Sequence, residues 1–223
     1  RMSTSVITIE NVPVVLDMPA VAKKLGIKPG QEKFERKLEK LAAIVVEKAR
    51  PRGVAKVCSL KEIDAEHVEV DGVTMTSTLL PEKMAGLGRV FTFLATEGVE
   101  LLEWAETLES NLDLVFAGRL REAVCKQYQA LLEKKICEQF DIPIISCVQP
   151  GSLPVWPIEE QRQLFKVMGS LASDAGITLL PSCLMRPAYS VSGIYFQTEK
   201  KYYNCMLCPR EGCPNRKAKS TVI

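Results

Sequence analysis

The sequence has 223 residues, of which 47% are hydrophobic and 25% are charged, values that are ordinary for a folded globular protein. Its 29 basic and 27 acidic residues leave a net charge of +2, which gives no basis for binding nucleic acid or an anionic membrane surface. No apolar run approaches the length that spans a bilayer, and no signal peptide is visible, so we expect no membrane partner.

The first part of the chain alternates extended and helical patterns. Residues 5–10 and 12–16 are predicted as short strands or extended arms, and residues 18–30 contain a short helix. Residues 31–49 form the first strong helix, because their apolar side chains recur on one face. The Pro-Arg-Gly sequence at 51–53 ends it.

The middle of the chain mixes strands and helices at uneven spacing. The predicted elements are a strand at 54–60, a hairpin at 67–75 that turns at Asp71-Gly72, a helix at 80–88, a buried strand at 89–96, a helix at 98–108 and a long helix at 112–140. Irregular alternation of this kind does not fit repeated βαβ units. We therefore expect an α+β fold with a mixed or mainly antiparallel sheet.

The C-terminal third begins with a loop rich in proline and glycine at 149–157. Pro157 suits the first position of a helix, which the sequence extends to Gly169. Residues 177–185 are predicted as a strand that leads into a second β segment, LMRPAYSVSGIYF, at 184–196.

Three segments follow from this pattern. We expect a helical and extended N-terminal lobe at 1–53, an α+β core at 54–204 and a cysteine-rich tail at 205–223.

Eight cysteines accompany a single histidine, His67, so a histidine-based triad or a multi-histidine metal site is excluded. Because disulfide frameworks are typical of short exported chains, we expect reduced thiols and a cytoplasmic location. Four cysteines have apolar neighbours and are expected to be small buried side chains: Cys58, Cys125, Cys137 and Cys147.

Three further cysteines cluster in the tail. Cys205, Cys208 and Cys213 have C-x2-C-x4-C spacing, which suits zinc or an iron–sulfur cluster. Cys183 is the candidate for a fourth ligand, because it lies on the predicted strand that leads toward the tail. The alternatives are a site that stays open, a site that a partner completes, or a basic tail with free thiols.

Two polar groups are candidates for a binding site. The first group would line a cleft if it lies at a strand end, and it comprises Arg186, Tyr189, Ser190 and Ser192. The alternative is an ordinary strand whose polar residues lie on its solvent-exposed face. The Gly-Ser turn at 151–152 precedes a helix start, but acidic residues in the first turn oppose an anion there, and a structural turn anchored by Trp156 is the expectation.

The segment SVSGIYF at 190–196, followed by KYY at 201–203, resembles the SVSG-x-YF…KY segment of the reactivation domain of cobalamin-dependent methionine synthase. AGRLREA at 117–123 is similar to that family's ADRLAEA helix, and residues 156–169 resemble the helix after its cofactor-binding turn. The resemblance covers roughly residues 85–204. It implies the activation-domain fold, an α+β fold with a twisted, mainly antiparallel sheet flanked by helices.

The resemblance also implies site residues. Tyr202 and Tyr203 match a tyrosine-aromatic pair that contacts S-adenosylmethionine in the family, and Gly151 matches the glycine of its Arg-x-x-x-Gly-Tyr signature. Cys147 stands where the family has the arginine. Its loss counts against S-adenosylmethionine binding in the family's manner, and Arg186 is a candidate replacement.

The family's cobalamin module carries an Asp-x-His-x-x-Gly loop that this sequence lacks, so the resemblance implies that any cobalamin belongs to a partner. The first functional prediction is a freestanding activation-domain-like protein that assists reductive reactivation, or methylation, of the cobalt of a corrinoid protein or methyltransferase. A cluster in the tail would suit electron delivery. The alternatives are an S-adenosylmethionine-binding methyl donor and a non-catalytic, zinc-stabilised interaction module.

Overall fold

The computed structural model describes residues 5–210, 212–213 and 216–221. The strands in this part of the chain are β1 (Val6–Ile9), β2 (Arg52–Glu62), β3 (His67–Val70), β4 (Val73–Thr76), β5 (Arg89–Thr96), β6 (Ile145–Val148), β7 (Thr178–Leu179), β8 (Met185–Arg186) and β9 (Ser190–Gln197). The α-helices are α1 (Met18–Leu25), α2 (Glu32–Lys48), α3 (Leu79–Lys83), α4 (Val99–Glu106), α5 (Asn111–Phe140), α6 (Gln161–Met168) and α7 (Ser170–Asp174). Two short 3-10 helices cover Ile158–Glu160 and Asn204–Leu207.

Seven of these strands form one antiparallel sheet. Its order is β4-β3-β2-β5-β9-β6, and β1 pairs with the first half of β2. The length of β2 allows both pairings, since Val6 lies opposite Lys56 while Leu60 lies opposite Val70. The α+β prediction with a mainly antiparallel sheet is therefore confirmed.

Helix α5 covers one face of the sheet. Its buried residues Tyr128, Leu132 and Ile136 pack on strand residues that include Phe93 and Tyr195, whose rings stack with centroids 4.1 Å apart. Its Tyr128 hydroxyl also binds the main chain of residue 12, donating to the carbonyl oxygen at 2.6 Å and accepting from the amide at 3.0 Å. Residues 12–16 are thus an extended arm held by the helix rather than a strand.

The opposite face is covered by α3, α6, α7 and the loop at 149–157. Trp156 is fully buried here, where it packs in a cluster with Val148, Leu164, Ile194 and Phe196. The loop is therefore anchored by its tryptophan, as its sequence suggests, and it holds residues 149–152 against the sheet.

A helical layer forms the rest of the core, where α1, α2 and α4 pack on the N-terminal half of α5. The boundary expected between residues 53 and 54 falls inside β2 (Arg52–Glu62), and β1 pairs with that strand. The first two expected segments therefore share one sheet, and the division of the chain stays a prediction.

The segment before β9 differs from its prediction. Residues 177–185 are not one strand, because β7 and β8 pair with each other in a two-stranded sheet whose turn holds Cys183 at a φ of +63°. The β segment expected at 184–196 is interrupted at 187–189, after a cis Arg186–Pro187 peptide. Proline has no N–H to donate to a strand ladder, which is the physical reason for the break.

The helices in the described residues include none that is both long and apolar enough to cross a membrane.

Candidate functional site

A cleft of about 410 Å³ lies at the start of β9. It is bounded by the turn at 149–152, the first residues of the helix at 158–161, the β7–β8 hairpin and residues 188–192. The predicted site residues that line it are Ser190, Ser192 and Cys183. Because its lining is apolar with a few hydroxyl and amide groups, the cleft suits a small ligand that is largely uncharged at the contact.

Ser192 is buried and does not lie on a solvent-exposed face of the strand. Its hydroxyl donates to Gln161 Oε1 at 2.5 Å, and the two residues are 3% and 2% exposed. This bond joins β9 to the start of α6 beneath the cleft. The cleft wall is therefore preorganised by a buried polar pair.

Tyr189 and Ser190 are held at the end of β5. The amide of Tyr189 donates to Glu97 Oε1 at 3.3 Å, and the amide of Glu97 donates to the Tyr189 carbonyl oxygen at 3.0 Å. Ser190 Oγ lies 2.8 Å from Thr96 Oγ1. These bonds fix the backbone at the point where the chain re-enters the sheet as β9.

Glu97 and Arg121 form a buried ion pair that sequence reasoning missed. Arg121 donates through Nε and Nη2 to the two carboxylate oxygens of Glu97, at 2.5 and 2.7 Å, and its guanidinium lies over the Tyr189 ring at 4.9 Å. Burial raises the pKa of Glu97, although Arg121 and the Tyr189 amide favour its charged form. The sequence did hold a signal for the pair. Arg121 directly follows Leu120, which lies on the apolar face of the long helix, and Glu97 directly follows the largely apolar strand RVFTFLAT.

Arg186 lies outside the cleft. Its guanidinium donates to Glu106 at 2.7 Å, and both side chains are about half exposed. The candidate replacement for the family's arginine is thus engaged with a carboxylate on the protein surface.

The two positions of the family signature lie apart. Gly151 has a φ of +77° in an exposed turn, where a Cβ atom would lie 2.7 Å from Ile158 Cδ1. Cys147, at the arginine position, pairs with Tyr195 and packs on the α5 side of the sheet, whereas Ser192 points to the α6 side. Desolvation raises the pKa of the Cys147 thiol. A side chain at position 147 is therefore directed away from the cleft.

Tyr202 belongs to the core on the α6 side. Its amide donates to Ser146 Oγ at 2.8 Å, and Lys83 Nζ lies 5.2 Å from its ring centroid. Its buried hydroxyl has no hydrogen-bond partner among the described residues, and burial raises its pKa to about 12. Tyr203 is half-buried and immediately precedes the 3-10 helix of the tail.

The tail cysteines and Cys183 differ in burial. Cys205, Cys208 and Cys213 are half-buried, whereas Cys183 is 2% exposed in the β7–β8 turn. Within the described ranges, no three or more histidine, cysteine or acidic side chains are grouped so as to hold a metal. Zinc or an iron–sulfur cluster at these cysteines stays a prediction from their spacing.

Comparison with known proteins gives one kind of match. No protein-family model matches the chain, and no curated protein sequence does. The crystal structure of the MetH reactivation domain bound to AdoHcy is similar to this one, with a TM-score of 0.63 and 17% sequence identity. The chain has the fold of the MetH reactivation domain. The likeness covers 89% of this chain and 80% of the MetH domain.

Proposed function

We propose that this protein docks on a corrinoid protein or methyltransferase and assists the reductive reactivation, or the methylation, of its cobalt. The observation that carries the proposal is the likeness to the MetH reactivation domain over 89% of the chain. The SVSGIYF segment adds weight, because it forms β9, the strand that pairs with both β5 and β6 beside the cleft.

In this proposal the corrinoid is contributed by the partner. The single histidine, His67, begins β3 and is not among the residues that line the cleft, and its Nδ1 lies 2.8 Å from Asp64 Oδ1. In this proposal any histidine ligand of the cobalt belongs to the partner.

Binding to a corrinoid protein in defined cobalt states tests this proposal. The partner would be prepared with cob(II)alamin, with methylcob(III)alamin and without cobalamin, and titrated with the chain under anaerobic conditions. A reactivation role predicts the tightest binding to the cob(II)alamin form, since this is the state that needs rescue. Equal affinity for all three forms, or no binding to any, would count against the proposal.

A second candidate is binding of S-adenosylmethionine as a methyl donor. It is favoured because the MetH domain was crystallised with AdoHcy and because Ser190 and Ser192 line a cleft of about 410 Å³. The direction of Cys147, away from this cleft, opposes the family's mode of binding.

Calorimetric titration with S-adenosylmethionine and S-adenosylhomocysteine decides the second candidate. We expect heat only if the cleft provides contacts that replace the missing arginine. The Ser192→Ala variant should then bind more weakly than the control Ser173→Ala, because the Ser173 hydroxyl donates to the Ser170 carbonyl oxygen of its own helix and Ser173 does not line the cleft. Absence of heat with both ligands at millimolar concentration would remove this candidate and leave the docking proposal standing.

A further inference from the structure

We propose that the cleft at the start of β9 binds an uncharged carboxamide carried on an apolar framework, and that the side-chain amide of Gln161 anchors it. The proposal concerns the cleft alone. It needs neither a corrinoid partner nor S-adenosylmethionine, so it is tested separately from both candidate functions. It rests on a free hydrogen-bond donor of Gln161, on the uncharged lining and on two further polar side chains of the cleft.

Gln161 is a buried polar side chain with one group left over. It is 2% exposed, and its Oε1 accepts the Ser192 hydroxyl at 2.5 Å. Its Nε2 has no hydrogen-bond partner among the described residues, yet this nitrogen is not sealed inside the protein. Since Gln161 lines the cleft, its N–H bonds are available to an acceptor there. A donor that is largely removed from water is costly to leave unpaired, so a ligand that accepts its bond is favoured.

The bond from Ser192 decides which end of the Gln161 amide is free. Ser192 donates its hydroxyl hydrogen to Oε1, so the end that remains for a ligand is the one that presents N–H. Ser192 is itself 3% exposed, and the buried bond keeps Gln161 in one orientation. The ligand group that the cleft selects is therefore an acceptor such as a carbonyl oxygen.

The lining of the cleft includes no charged side chain in the part of the chain that the structure describes. Two arginines adjoin lining residues in sequence, but both are engaged elsewhere. Arg162 donates to the Pro181 carbonyl oxygen at 2.9 Å, and Arg186 pairs with Glu106. A carboxylate in the cleft would lose water without meeting a cation, and an ammonium group would meet no carboxylate. The ligand that fits is therefore uncharged.

Two further polar side chains complete the match to a carboxamide. Gln149 and Ser152 line the same cleft, and neither side chain has a hydrogen-bond partner within the described ranges. The oxygens of both side chains accept N–H bonds. A carboxamide offers a carbonyl oxygen to Gln161 and two N–H bonds to these acceptors, whereas a ketone or an ester offers only the oxygen.

The rest of the lining indicates an apolar framework for the ligand. Leu180 and Leu184 of the β7–β8 hairpin line the cleft and are 38% and 59% exposed. A ligand that covers them removes apolar surface from water. The volume of about 410 Å³ is within the range of sites that hold small molecules.

Nuclear magnetic resonance with a matched pair of probes tests the proposal. Benzamide and benzoate have nearly the same size, and at neutral pH they differ in charge and in their N–H bonds. In isotope-labelled wild type, benzamide should move the assigned side-chain amide signal of Gln161 in a saturable manner. Benzoate should bind at least about tenfold more weakly, because its charge meets no cation in the cleft.

A pair of variants tests the anchoring role of Gln161. Gln161→Leu removes the donor and keeps a similar volume, so benzamide should bind about tenfold more weakly. Gln163→Leu is the matched control on the same helix, because Gln163 accepts a bond from Lys166 and does not line the cleft. It should bind benzamide as wild type does. If Gln161→Leu does not fold, the comparison of the two probes with wild type decides alone.

Three results would overturn the proposal. They are no saturable movement of the Gln161 signal with benzamide, binding of benzoate as tight as that of benzamide, and unchanged binding of benzamide by folded Gln161→Leu. Heat with S-adenosylmethionine but no binding of benzamide would keep the methyl-donor candidate and reject this proposal. Because the test contains no partner protein and no cobalamin, its outcome leaves the docking proposal untouched.

Discussion

Arg121 binds both carboxylate oxygens of Glu97 inside the protein, and this pair joins the long helix α5 to the end of β5. The same carboxylate accepts the Tyr189 amide, so the pair also fixes the chain where it enters β9. Glu97 is fully buried and Arg121 is 8% exposed. The ion pair therefore supports the start of β9 from the α5 side of the sheet, whereas Gln161 binds Ser192 of the same strand from the α6 side.

Removal of Arg121 should destabilise the protein strongly. Arg121→Met leaves the Glu97 carboxylate buried without its cation, and we expect the free energy of unfolding to fall by about 3–5 kcal/mol. Arg119→Met is the matched control on the same helix, because Arg119 pairs with Glu122 at the surface, and it should cost less than about 1 kcal/mol. Urea unfolding of both variants measures the difference, and equal losses would contradict a structural role for the buried pair.

The dependence of stability on pH should reveal Glu97. Its pKa in the folded protein is raised from the ordinary value of 4.5 by burial, so the folded state holds this proton more tightly than the unfolded state. The contribution of Glu97 to the free energy of unfolding is therefore largest below 4.5 and decreases as pH rises toward the raised folded value. Unfolding measured across this range should show a smaller decrease for Glu97→Gln than for wild type. Parallel curves would contradict the prediction.

Gly193 of the SVSG segment should tolerate no side chain. A Cβ atom there would lie 2.3 Å from the Val148 carbonyl oxygen and 2.9 Å from Phe93 Cε1, so the backbone of β6 would have to move. We expect Gly193→Ala to lower the free energy of unfolding by about 1–3 kcal/mol, as overpacking does. Gly88→Ala, where nothing lies within 4 Å of the added atom, should change it by less than about 0.5 kcal/mol. Thermal or urea unfolding compares the two, and similar effects would argue against close packing at β9.

Much of the sheet was predictable because local patterns decide it. The strand predicted at 89–96 has the same bounds as β5, whose largely apolar residues are buried on both faces. Asp71-Gly72 turns the β3–β4 hairpin, as its sequence indicates. The helix predicted at 112–140 begins one residue earlier, at Asn111, where the Ser110 hydroxyl accepts the Asp113 amide.

The remainder depends on contacts between distant residues. A single sequence does not indicate that Arg121 pairs with Glu97. Nor does it indicate that Ser192 binds Gln161 and is buried, since the alternation of the strand predicts that one face is exposed to solvent. The break at Pro187 was readable from proline's missing N–H, but the strand pattern on either side outweighed it. Where a ligand would lie stays a prediction, because the matched positions lie on different faces.

The hydroxyl of Tyr202 should contribute nothing to stability. Its hydroxyl has no partner among the described residues, so Tyr202→Phe removes a buried polar group that costs energy, and the free energy of unfolding should stay equal or rise by about 1 kcal/mol. In Tyr195→Phe the hydroxyl bond to the Gln129 carbonyl oxygen is lost, and a decrease of about 0.5–1.5 kcal/mol is expected. Urea unfolding distinguishes the two. A marked loss of stability in Tyr202→Phe would show that its hydroxyl has a structural role.

The most direct test of the central claim follows the cobalt itself. A corrinoid protein loaded with cob(II)alamin would be mixed with a chemical reductant, with and without the chain, and its visible absorbance recorded with time. The account predicts that cob(II)alamin disappears faster when the chain is present and that the heat-unfolded chain has no effect. An identical rate with and without the folded chain, at concentrations that saturate binding, would contradict it.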